Sequence, residues 1–131
     1  MNSVEVVEAL RTSLSGLMAV YGFGSRVTGE HNPGSDLDVA VLLEGYGDPV
    51  QLFDLSSVVA DIAGCDVDLL DFRGASTVMQ YQILTKGERW WARDYQAGLF
   101  EAAVLSEKLA FDESRRLLLS EVKERGSIYG G

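Results

Sequence analysis

The sequence predicts an α+β fold (α/β mixed in chain order), a small mixed sheet flanked by helices with a long C-terminal helix, and three observations predict it. Apolar runs of strand length recur at residues 17–23, 36–43 and 66–72. Between them stand stretches with helical spacing and caps, so strands and helices alternate as they do when helices cover a sheet. From Asp94 to about Glu124 a single helical pattern follows, with no proline and with Gly98 as its one glycine.

Each element has its own signature. Residues 3–15 place Val6, Val7, Leu10 and Leu14 at helical spacing, with Asn2 or Ser3 as the cap. Residues 17–23 are a short β-like run ended by glycine. Residues 24–35 form a loop with one helical turn starting at Ser25. Residues 36–43 read as a buried strand, although it opens on two aspartates. The Gly-Tyr-Gly-Asp-Pro segment at 45–49 is a turn. There Asp48 caps a helix, Pro49 occupies its first position, and Gly64 stops it after about Ala63. A third strand covers 66–72. Ser76 caps a helix over 77–85 that Gly87 ends, and 89–93, with Trp90 and Trp91, is a fourth, edge strand. The expected organisation is a core at 1–94, a helical extension of the same domain at 95–124 and a flexible tail at 125–131.

At 131 residues, 47% of them hydrophobic, the chain is sized for one folded domain with a sizeable core. No apolar run approaches the ~18–20 residues of a membrane span, and the N-terminus lacks the pattern of a secretory signal. Cys65 is the only cysteine, which suits a reducing cytoplasm. His31 is likewise single, so a metal site must be built from carboxylates, which select hard cations such as Mg²⁺ or Mn²⁺. A formal net charge of −9 argues against a surface for duplex DNA or RNA, which needs phosphate-neutralising lysines and arginines. It is compatible with a small nucleotide whose charge is met locally by a metal.

The loop "GFGSRVTGEHNPGSDLDVAV", residues 22–41, carries the chemistry. Residues i and i+2 of a strand share a face about 7 Å apart, so Asp36 and Asp38 project together while Leu37 and Val39 enter the core. Two like charges so placed repel unless a cation lies between them. Asp68 adds a third carboxylate if the third strand lies beside the second, with Asp66 and Asp71 as close competitors. Three carboxylates and one or two Mg²⁺ ions suit in-line phosphoryl or nucleotidyl transfer. Gly24 lets backbone approach a phosphate without a Cβ, and Ser25 adds a hydroxyl and opens a helical turn. Two rival glycine-loop readings fail by residue. Val27 stands where a dinucleotide fingerprint needs glycine, and no lysine precedes Ser35 as a P-loop requires.

Gly24-Ser25, ten residues, then Asp36-Leu37-Asp38 resembles the Gly-Ser-x10-Asp-x-Asp signature of the DNA polymerase β-like nucleotidyltransferase superfamily. The small size and the stretch "DVDLLDFRGASTVMQYQILTKGERWW" at 66–91 are similar to its minimal (MNT) branch, above all to the antitoxins of HEPN/MNT toxin–antitoxin systems. That resemblance covers most of residues 17–93. It implies a polymerase β-like fold and transfer of AMP from ATP to a tyrosine of a HEPN-family (HepT-like) ribonuclease toxin. It assigns Gly24 and Ser25 to triphosphate binding, Asp36 and Asp38 to catalysis and metal binding, and Asp68 to the third metal ligand.

Lesser candidates surround this set. Ser35 can assist phosphate binding, although a serine before a strand is commonly a turn residue. Arg26 and Lys86 can contact phosphates, with solvated surface as the ordinary alternative. His31 belongs to a polar loop. Trp90 and Trp91 can stack on adenine, against the simpler expectation that an edge strand packs one and exposes the other. The long helix carries Leu99, Ala103, Leu109 and Leu117 as an apolar stripe, and its distal part at 117–122 is expected to meet a partner or a second copy. Tyr129 lies in the tail. Two other functions compete: a small-molecule nucleotidyltransferase of the aminoglycoside type, for which 131 residues leave little room, and a non-catalytic antitoxin acting by occlusion.

Overall fold

The structure, a computed structural model, describes residues 3–29 and 36–128. In chain order it comprises α1 (Ser3–Ser13), β1 (Leu17–Phe23), α2 (Ser25–Thr28), β2 (Leu37–Leu43), α3 (Pro49–Ala63), β3 (Val67–Asp71), α4 (Thr77–Lys86), β4 (Glu88–Ala92) and α5 (Gln96–Ile128). The four strands form one mixed sheet in the order β3-β2-β1-β4. β1 is antiparallel to β2 and β4, and β2 is parallel to β3.

Period-2 alternation along β2 feeds two cores, one on each side of the sheet. Leu37, Val39, Val41 and Leu43 pack with Val6, Val7 and Leu10 of α1 and Leu52, Leu55 and Val59 of α3. Ala40 and Leu42 turn the other way, to Met18, Tyr21, Phe72, Ile83 of α4 and Ala97 and Val104 of α5. A strand buried on both faces reads as a continuous apolar run, which is the appearance of 37–43.

Local chemistry positions the helices. The Asp48 side chain accepts the Val50 amide at 3.0 Å, Pro49 follows it, and Gly64 caps the far end in the left-handed region. Ser76 Oγ accepts the Met79 amide at 3.2 Å and opens α4.

Two expectations give way to tertiary packing. Between Val20 and Tyr21 the β1–β4 register shifts, so Val20 pairs with Trp91 and Tyr21 with Arg89. The extra residue of this bulge lets both tryptophans pack, half-buried, against the core on the α1/α3 side, rather than one packing and one standing exposed. Trp90 lies where a Cβ on Gly22 would sit only 2.1 Å from its ring, and Arg11 covers the Trp91 ring at 4.8 Å.

The second concerns α5. Ala97, Val104 and half-buried Phe100 make its packed face. Leu99, Leu109 and Leu117, of the expected stripe, are 62%, 67% and 57% exposed. The helix runs through Ile128 instead of ending near Glu124, about 50 Å in all, and every side chain from 109 to 120 is exposed. Of the expected tail, 125–128 continue the helix, while residues 129–131, with Tyr129, lie outside the described residues, as does the Val122 side chain.

Candidate active site

The N-terminal ends of β2 and β3 and the C-terminal end of β1 meet at one edge of the sheet, because β1 runs against β2 and β2 runs with β3. In-register pairing sets Asp38 opposite Phe23 on one side and opposite Asp68 on the other. Paired strands are about 4.8 Å apart, and Asp36 stands one face-preserving step before Asp38. Asp36, Asp38 and Asp68 therefore converge on the sheet face that α4 and α5 cover.

Register also separates the competing aspartates. Asp66 precedes β3, and its carbonyl accepts the Leu37 amide at 2.8 Å. Asp71 lies three residues beyond Asp68 and so faces the α3 side. Its Oδ2 accepts the Gly47 amide at 2.9 Å, which pins the turn before α3, and its Oδ1 is buried without a hydrogen bond.

Electrostatics single out Asp38. Burial first, then the neighbouring carboxylates of Asp68 and Asp36, hold its carboxyl above the usual carboxylate range. Ionised, the trio is mutually repulsive, and its oxygen-only donor set is what a hard divalent cation selects. Among the described residues no group of three or more His, Cys, Asp or Glu side chains is arranged to hold a metal ion by itself, the aspartate trio included.

Gly24 holds the loop against these carboxylates. Its φ of 84° and ψ of −171° belong to a region that glycine alone occupies readily. A Cβ there would stand 2.2 Å from Asp38 Oδ2. Any other residue would collide with the carboxylate, so the glycine allows β1, the loop and Asp38 to lie in contact. Ser25 starts α2 immediately afterwards, and the Gly24 carbonyl accepts the Val27 amide at 3.1 Å.

A cavity of about 360 Å³ opens here, lined by Phe23, Gly24, Ser25, Asp38, Met79, Gln82 and Lys86. It brings together the glycine–serine pair and one of the paired aspartates, and adds one face of α4. Met79 and Gln82 escaped the sequence reading, because only the placement of α4 over the end of β1 brings them in. Arg26, on α2, does not line it. Trp90 and Trp91 pack on the opposite side of the sheet from Asp38, which removes them from adenine stacking at this cavity. Ser35 and His31 lie outside the described residues.

The polymerase β nucleotidyltransferase family model matches residues 5–96, which contain every element of this site. The protein adenylyltransferase MntA of Shewanella oneidensis is 30% identical over 122 residues, spanning 93% of this chain and 88% of that protein. Among solved structures, a toxin–antitoxin complex with AMP-PNP contains a chain that superposes with a TM-score of 0.81 at 30% identity, over 93% of this chain and 98% of the other. A complex of the tri-AMPylated Shewanella oneidensis HEPN toxin with its MNT antitoxin gives 0.73 at 28% identity, over 92% and 94%. The family match and the likeness over more than nine-tenths of the chain show that it belongs to the polymerase β nucleotidyltransferase family.

Proposed function

We infer that this protein is an antitoxin that transfers AMP from ATP to a tyrosine of a cognate HEPN-family (HepT-like) ribonuclease toxin and so silences it. The observation that carries the reading is the in-register convergence of Asp38 with Asp68, beside Asp36, directly against Gly24. Support comes from the likeness to a protein adenylyltransferase and to chains solved in complex with their toxins.

In this reading Gly24 and Ser25, with Ser35, receive the triphosphate, and Asp36, Asp38 and Asp68 hold Mg²⁺. When bound, the ion neutralises phosphate oxygens and stabilises the departing pyrophosphate. The side chains of this protein do the rest. The absence of a Cβ at Gly24 lets backbone close on the phosphates, and the Ser25 hydroxyl donates to one of their oxygens. The phenol oxygen of the incoming tyrosine bonds to the α-phosphorus as the bond to the bridging oxygen breaks, and pyrophosphate leaves with that electron pair. Exposed Asp68 faces the incoming side chain and takes the phenol proton.

The acceptor is a protein in this reading because the relatives are a protein adenylyltransferase and a chain solved with an AMPylated toxin, and a net charge of −9 disfavours nucleic acid. Residues 1–94 form the catalytic core, 95–124 extend it towards the partner, and the protein works in the cytoplasm, where its ATP is found. Among the described residues no helix is long and apolar enough to cross a membrane. Incubation with radiolabelled ATP and Mg²⁺ tests the reading: label should move to the HEPN toxin, one acceptor tyrosine should carry it, and an aminoglycoside in place of the toxin should receive none. Label on the small molecule but not on the toxin refutes the assignment.

A further inference from the structure

We propose that Lys86 binds the β- and γ-phosphates of the nucleotide, giving the site its preference for a triphosphate. The inference rests on the nucleotidyltransferase reading and adds a residue that neither the glycine–serine pair nor the aspartates predict. Among the described residues, Lys86 is the only basic side chain lining the cavity that holds Gly24, Ser25 and Asp38. It forms no salt bridge with any carboxylate among the described residues, although Asp38 lines the same cavity. A cation in one cavity with Asp38, yet paired with no carboxylate among the described residues, is available to an anionic ligand.

Its position is built into the fold. Met79, Gln82 and Lys86 recur at i, i+3 and i+7, one face of α4, which forms that wall of the cavity. The next residue, Gly87, is pressed against β1: a Cβ there would meet the Gly22 carbonyl at 2.7 Å and Phe23 Cβ at 3.0 Å. This backbone contact fixes the last turn of α4 against the end of β1 that leads into Gly24. Lys86 therefore sits at the phosphate end of the cavity, and Met79 lies about 10 Å along the helix axis, beyond the reach of the same group. An ATP–Mg²⁺ complex brings net negative charge to a site already rich in carboxylates. One ammonium on the terminal phosphates offsets that charge and stabilises the pyrophosphate as it departs.

Calorimetric titration of ATP and of AMP, in Mg²⁺ and without acceptor, tests this on the full chain. Lys86→Gln should raise the Kd for ATP roughly 10- to 100-fold, the loss of a charge-assisted contact, and that for AMP less than about threefold. Lys86→Arg should keep ATP binding within about threefold of the parent. Arg116→Gln, on the exposed part of α5, removes the same net charge and should change neither Kd. Unchanged ATP binding by Lys86→Gln, in a protein that still transfers AMP, overturns the inference and leaves the functional reading standing. An equal loss for ATP and AMP overturns it as well, since the ammonium would then contact the α-phosphate or nucleoside. A parent protein that binds no ATP removes both together.

Discussion

Replacing Gly24 with alanine puts a methyl group where the fold has no room for one. The backbone at φ 84° and ψ −171° costs a non-glycine residue about 1–3 kcal/mol. The new Cβ would lie 2.2 Å from Asp38 Oδ2, so the carboxylate must move by roughly 1 Å to reach ordinary contact. Two separable effects follow. Stability should fall by about 2 kcal/mol, which for a domain of this size lowers the Tm by roughly 8 °C. If Asp38 acts in catalysis as proposed, displacing its carboxylate by about 1 Å should cost on the order of 100-fold in AMP transfer, even in fully folded protein. Gly29→Ala is the matched control. Gly29 also has positive φ, 83°, but nothing lies within 4 Å of its would-be Cβ. It should lose about 1–2 kcal/mol of stability and keep transfer within about threefold. The assay is initial-rate transfer of labelled AMP to the toxin, well below both melting temperatures. Equal losses of activity in the two variants, or an active Gly24→Ala, would refute the close-approach reasoning.

Among the aspartates, Asp68→Asn should impair transfer far more than Asp66→Asn. Asp71→Asn should act mainly on stability, because the hydrogen bond from the Gly47 amide is worth about 1 kcal/mol; a larger activity loss at Asp66 would place the strand register elsewhere. Asp38, its carboxyl raised by burial and by Asp68 and Asp36, binds its proton more tightly folded than unfolded. Its ionisation therefore removes stability as pH rises past the unfolded carboxylate value, so Asp38→Asn should melt above the parent at pH 7. That gain should vanish near pH 3, where both states of the parent are protonated, and a thermal melt at the two pH values reads it directly. Truncation after Glu113 removes a helical segment whose side chains at 114–120 are all exposed and should weaken complex formation with the toxin while leaving ATP binding intact. Unfolding of the truncated chain would show the segment to be part of the core.

What the sequence made legible was what is decided locally. The cap-proline-glycine pattern at Asp48, Pro49 and Gly64 and the Ser76–Gly87 pair bound their helices as their chemistry requires. Asp36 and Asp38 stood out because charge at the mouth of a buried strand violates the apolar pattern around it. Non-local contacts decided the rest. The choice among Asp66, Asp68 and Asp71 needed the parallel β2–β3 register. The common face of Trp90 and Trp91 needed a bulge against β1, for which two adjacent tryptophans give no signal. The packed face of α5 escaped notice because Ala97, Phe100 and Val104 are fewer and smaller than the leucines around them, which stay exposed. Met79 and Gln82 joined the site only through the docking of α4 on the end of β1, which also separates Lys86, lining the cavity, from Arg26, which does not.

Neutralisation of the toxin is, on the function proposed above, a covalent transfer performed at the Asp36–Asp38–Asp68 edge. Intact-mass measurement of the HEPN toxin after incubation with this protein, ATP and Mg²⁺, read beside the ribonuclease activity of the same sample, tests it most directly. The parent protein should add whole AMP units to the toxin, release pyrophosphate and abolish RNA cleavage; with Asp36→Asn the toxin should keep its unmodified mass and its activity. A toxin silenced equally well by Asp36→Asn, at unchanged mass, would contradict the claim and leave simple occlusion as the means of neutralisation.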